Sequence, residues 1–99
     1  MQGNRHHWTF DEDRFCCQKF IEYYVENKSD MDISLFIHLL QRDLPDIQRN
    51  SLRMKIQNIK QISSQLGLED TSALKPLSNY SAQNMQAMIM VLRERGIRL

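Results

Sequence analysis

The chain has 99 residues, 41% of them hydrophobic, and a formal net charge of +1. That size allows one modest core, and the apolar fraction excludes wholesale disorder. No apolar run reaches the length of a membrane span, and the first residues lack the apolar region of a secretory signal. The expected location is therefore the cytoplasm, or the nucleoid if the chain binds DNA.

Charge is unevenly placed. Residues 1–48 hold five basic and nine acidic side chains, a balance of −4, whereas residues 49–99 hold eight and three, a balance of +5. A dipolar layout of this kind presents a positive face to phosphate, or supports head-to-tail association with a protein.

Residues 1–7 are polar and are expected to form a flexible lead. His6 and His7 are adjacent, which disfavours joint metal binding. Thr9-Phe10-Asp11-Glu12 then spells a capping box, and Asp11, Glu12 and Asp13 suit the positive end of a helix dipole. The first helix should run to about Asn27, with Cys17, Phe20 and Tyr24 inward and Phe15 and Ile21 beside them. Trp8 is expected to fold back over the core. Cys16 and Cys17 point about 100° apart on a helix, so one should face the core and the other its edge. Neither a disulfide framework nor a metal clamp fits that adjacency.

A second helix is predicted to begin after Asp32, or slightly earlier after Asp30, and to continue to about Arg42, with Leu35, Phe36, Leu39 and Leu40 as its apolar face. Pro45 ends it, because proline disfavours helix at Leu44 and cannot donate a backbone hydrogen bond. The third helix starts after Arg49 or Asn50. Leu52, Ile56, Ile59, Ile62 and Leu66 gather on one side of it. Arg53, Met54, Gln57, Lys60, Gln61 and Ser64 fall largely opposite, with Asn58 nearer the edge. Basic and amide side chains are the chemistry that meets phosphates and base edges, and equally the chemistry of an ordinary solvated face. Gly67 supplies a left-handed stop, with Leu68 for the contact beyond it.

Residues 68–80 lose periodicity and read as an ordered connection, with a short turn near residues 72–74. Leu74, Leu77 and Tyr80 would pin it to the core. A last helix, capped by Ser81 or Asn79, runs from about Ala82 to Arg95 with Met85, Met88, Ile89 and Leu92 inward, and Gly96 ends it. The whole is expected to be all-α. Residues 8–67 form a three-helix core in a helix-turn-helix-like arrangement, and residues 81–96 add a supporting fourth helix to the same domain. Trp8, Phe20, Phe36, Leu39, Ile56, Ile59, Met88 and Leu92 are the expected core.

Enzymatic chemistry finds little footing. No paired metal-ligand motif is present, and the glycines Gly3, Gly67 and Gly96 are isolated rather than gathered into a phosphate loop. The expectation is a non-catalytic chain without metal or cofactor.

Trp8-Thr9-x-x-Glu12-Asp13 opening a first helix resembles the start of a Myb/SANT-like helix-turn-helix domain. The short second helix, followed by Ser51 to Ile59, resembles the region carrying that family's recognition helix. The chain also looks like amino-terminal modules of bacterial and phage proteins, some joined to HNH-type nuclease domains. The Myb-like resemblance covers residues 8–62 and implies a core role for Trp8, beside Ile56 and Ile59. It places Arg53, Met54, Gln57, Asn58 and Gln61 at base edges in the major groove, and Arg49, Lys55 and Lys60 on phosphates. A typical repeat carries three spaced aromatic core positions, of which only Trp8 stands here, and residues 69–95 are an addition. The implied function is a DNA-binding module or small regulator acting on double-stranded DNA. SANT relatives also bind proteins, so the alternative is an interaction module for an acidic surface, such as one on a nuclease or phage protein. Homodimerisation is left open, with Met90, Val91 and the basic C-terminal end as its candidates. If the chain is complete, a regulator or interaction protein is expected; if it is part of a longer one, an enzyme would lie elsewhere.

Overall fold

A computed structural model describes residues 6–27, 32–68 and 74–97. These form four helices and no strand: α1 (Phe10–Glu26), α2 (Ile33–Asp43), α3 (Arg49–Gln65) and α4 (Ala82–Glu94). The all-α architecture expected from the sequence is the one observed. The expected lead falls mostly outside the described residues, as does most of the turn near residues 72–74.

Three helices begin where a side chain takes up an open backbone amide. Thr9 Oγ1 accepts from the Glu12 N–H at 3.1 Å while Glu12 returns to the Thr9 N–H at 2.9 Å, completing the capping box of α1. Glu12 also meets His6 Nε2 at 2.9 Å. Burial opposes the charge of this carboxyl, but the Thr9 and His6 contacts together hold it below the ordinary carboxylate value. Asp32 caps α2 and Ser81 caps α4 in the same manner. The start of α3 differs, since its N-cap Gln48 makes no side-chain hydrogen bond.

The two glycine stops act as expected. Gly67 has φ +88° and Gly96 has φ +73°, both in the left-handed region. Leu68 N–H reaches back to the Ser63 carbonyl at 2.7 Å, and Ile97 N–H to that of Leu92 at 2.9 Å. Each bond closes its helix by the six-to-one pattern of a Schellman motif. Between α2 and α3, the Gln41 amide donates to the carbonyls of Leu44 and Ile47, holding the turn around Pro45. Ile47 itself is buried.

All four helices feed one core cluster, and the most extensive packing is between α1 and α4. Four expectations about facing need correction. On α2 the buried residues are Phe36, Ile37 and Leu40, while Leu35 and Leu39 are 46% and 38% exposed. This helix has two overlapping apolar stripes, because Ile33, Phe36, Ile37 and Leu40 also follow the i, i+3, i+4, i+7 spacing. Phe36 and Leu40 belong to both stripes, and it is Ile37 that takes the inward place beside them; Phe36 stacks on Tyr23 at 5.2 Å and meets Phe20 edge-on at 6.1 Å. Both cysteines are fully buried, because α1 packs against three other helices and so hides a wide arc. On α4, Ala87, Met88, Val91 and Leu92 face inward together with Asn84, while Met85 and Ile89 are half-buried. Val91, an interface candidate, therefore belongs to the core, and Met90 remains outside at 40% exposure.

The corrected face of α2 predicts a contrast between neighbours. Leu40→Ala should cost about 2–5 kcal/mol, as cavity-forming truncations do. Leu39→Ala should stay within about 0.5 kcal/mol. Urea unfolding midpoints of the two variants measure the difference, and equal losses would return Leu39 to the core.

Candidate functional site

Helix α3 carries the residues that the sequence marks for function, and the structure divides them into three groups. The first is internal. Leu52, Ile56, Ile59 and Ile62 are buried as their spacing requires, but so is Lys55. Its ammonium lies 2.6 Å from Asp13 Oδ1 and donates to Asn84 Oδ1 at 3.3 Å. The Trp8 ring covers it, with its centroid 4.7 Å away. The other oxygen of Asp13 accepts from Gln83 Nε2 at 2.9 Å, and that amide also donates to the Trp8 carbonyl at 3.0 Å. Asn84 Nδ2 in turn meets Cys17 Sγ at 3.6 Å. Lys55 is thus withdrawn from the phosphate contacts expected of it, because a buried carboxylate on α1 claims its charge. Trp8, the expected core tryptophan, is a half-buried cover over this pair and packs against the core from its edge.

A signal for this pair exists in the sequence. At about 100° per residue, Lys55 falls within about 60° of Leu52, Ile59 and Ile62, inside the apolar stripe. Asp13 stands in the same relation to Cys17 and Phe20, and Asn84 to Met88 and Val91. Opposite charges placed inside two apolar stripes are the pattern of a buried ion pair.

The second group lies under the connection that precedes α4. Gln57 Nε2 donates to the Lys75 carbonyl at 3.0 Å, and the Leu77 N–H donates to the Gln57 carbonyl at 3.2 Å. Asn58 Nδ2 donates to the Leu77 carbonyl at 2.9 Å and approaches Asn79 Oδ1 at 3.4 Å. Tyr80 donates its hydroxyl to Gln65. Leu74 is buried, which anchors the start of this strap. Gln57, Asn58, Lys60 and Gln61 are accordingly half-buried. Two of the expected base-reading amides, those of Gln57 and Asn58, already have acceptors within the chain.

The third group is the first half of α3, where Arg49, Asn50, Arg53 and Met54 are exposed. Neither arginine makes an ion pair among the described residues. Helix α3 contains no acidic residue, and its first turn carries Arg49 where α1 carries Asp11, Glu12 and Asp13. The structure therefore brings Arg49, Arg53 and Met54 together on open surface and separates them from Lys55, Gln57 and Asn58.

Other regions offer less chemistry. An open groove of about 670 Å³ between α1 and α2 is lined by Lys19, Glu22, Tyr23, Glu26, Leu39 and Arg42, among others, with both charge signs on its rim. No group of three or more metal-ligating side chains occurs among the described residues, and no described helix is long and apolar enough to cross a membrane. Burial pushes the Cys16 thiol up to about 12, against the pull of the Lys55 charge. Cys17 is likewise pushed up by burial, and then by Cys16 and Asp13. Both are therefore protonated, weakly nucleophilic thiols in the fold.

Two predictions follow from the interior of the site. Lys55→Ala strands the Asp13 carboxylate and should cost roughly 3–5 kcal/mol, whereas the Asp13→Leu/Lys55→Met pair should recover part of that loss. Chemical unfolding of the single and double variants tests this, and an additive double variant would show that the two charges are not coupled. The cysteines make stability fall in alkali. Above an unfolded thiol value of about 8.5 the unfolded chain loses protons that the fold retains, so unfolding gains up to about 1.4 kcal/mol per pH unit per thiol. This contribution is fully present below about pH 8.5 and is lost as pH rises toward the folded values. Midpoints between pH 8 and 11 should drop less steeply in the Cys16→Ala/Cys17→Ala variant than in the parent chain. Compared with known proteins, the chain matches no family model, no curated protein and no solved structure.

Proposed function

We propose that the chain is a non-catalytic module that binds double-stranded DNA through the first half of α3. The observation that carries this reading is the start of that helix. A helix N-terminus holds a partial positive charge and open N–H groups, so natural first turns favour acidic side chains and a capping acceptor. Here α1, α2 and α4 have capping side chains, while α3 has none and carries Arg49 in its first turn and Arg53 in its second. Such a cation near the positive end costs about 0.3–1 kcal/mol, and an arriving anion turns the cost into attraction.

The order of elements supports the same reading. Helix α2, the turn over residues 44–48 and α3 follow the helix-turn-helix order, and that class presents the first residues of its second helix to DNA. A Myb-like relationship is part of this proposal, with Trp8 as its shared aromatic position. Arginine suits both phosphate and the guanine edge.

Fluorescence anisotropy with labelled duplexes tests the proposal. Arg49→Ala/Arg53→Ala should weaken binding and reduce the slope of log affinity against log salt by about two units. Both side chains are exposed and a cation at the positive helix end is unfavourable, so the variant should keep its helical content and unfold no earlier than the parent chain. Absence of duplex binding by the parent chain at low salt would refute the reading. Stoichiometric capture of an acidic protein through the same two arginines would replace it with the interaction role.

A further inference from the structure

The strap over residues 74–80 also changes what the open face of α3 contains. Arg49, Arg53 and Gln57 succeed one another at four-residue steps, each about 6 Å along the helix axis. At the end of that row the Gln57 amide holds the Lys75 carbonyl at 3.0 Å, and the Leu77 N–H returns to the Gln57 carbonyl at 3.2 Å. Lys75 is exposed and makes no ion pair among the described residues. Neither α3 nor residues 74–80 contain a carboxylate side chain.

We infer that Lys75 is a third cation of the DNA-binding surface, that Gln57 is its positioning residue, and that the partner group is the sugar–phosphate backbone. The inference rests on the DNA-binding reading above and assigns Gln57 a different task from reading adenine. A bidentate adenine contact requires both atoms of an amide to face the base. The nitrogens of Gln57 and Asn58 instead donate to strap carbonyls, so base reading would have to break contacts that hold residues 75–79 in place. The surface that results is a row of cations in which the Gln57 and Asn58 amides are already engaged, suited to a polyanion of regular charge spacing. Duplex DNA, with a phosphate about every 3.4 Å along each strand, is such a polyanion.

The test measures anisotropy of the full chain with two duplexes of unrelated sequence between 50 and 200 mM salt. Lys75→Ala should reduce the logarithmic salt slope by about one unit on both duplexes, and Lys75→Arg should restore it. Gln57→Ala should reproduce the Lys75→Ala loss, and the double variant should lose no more than either single one. Loss of folded molecules lowers apparent affinity without changing the number of phosphates neutralised, and circular dichroism checks that helical content is retained. Parent binding with an unchanged slope in Lys75→Ala would overturn the inference and leave the DNA reading standing. A change of preference between duplexes in Gln57→Ala, at constant slope, would return Gln57 to base reading. Failure of the parent chain to bind either duplex at 50 mM salt would remove the DNA reading and this inference with it.

Discussion

One ammonium group inside the bundle governs how three helices are turned toward one another. Lys55 on α3 meets Asp13 on α1 and Asn84 on α4, and Trp8 lies over the contact. Removing two charges from water costs several kcal/mol per ion, and the attraction between them offsets this only when geometry and hydrogen bonding are good. Here the Gln83 amide satisfies the second carboxylate oxygen, and the Asn84 amide joins the ammonium to Cys17. Rotating α1 or α3 by one residue would part the two charges, and rotating α4 would withdraw the Asn84 and Gln83 amides that complete their hydrogen bonding. Apolar packing tolerates several such rotations; this network tolerates one.

That distinction explains which parts of the molecule were readable in advance. Helix ends were, because their causes are local: Thr9 with Glu12, Asp32, Ser81, Gly67 and Gly96 each act within a few residues. The facing of α2 was not, since six apolar residues in eight positions outline two stripes that share Phe36 and Leu40, and only packing against the rest of the fold buries Ile37 in place of Leu35 and Leu39. The Myb-like resemblance puts Lys55 on phosphate, although its angular position among Leu52, Ile59 and Ile62 points inward. The strap was the least readable. Its attachment to Gln57 and Asn58 joins residues 18 to 21 positions apart through backbone carbonyls and side-chain amides, and no periodicity records such contacts.

The same two features reshape the charge on the surface. Asp13 and Lys55 cancel inside, so each half of the chain presents one charge fewer than its composition suggests. What remains positive and exposed on α3 is Arg49 and Arg53, at the end where the helix dipole adds to it, while Lys60 is half-buried. The second half of the helix is spent on holding the strap. A helix that looked uniformly basic along its outer side is therefore an open cationic half joined to a covered amide half.

The internal pair also bears on how the chain assembles. Asp13 and Lys55 meet when α1 docks on α3, and their hydrogen bonding is completed only when α4 brings Asn84 and Gln83. A partly built bundle must either keep those groups hydrated, which holds the helices apart, or dry them with part of their hydrogen bonding missing, which is costly. Intermediates with two helices in place are penalised by the same group that rewards completion. The polar cluster thus sharpens the folding transition and leaves little room for a collapsed state whose interior is still fluid.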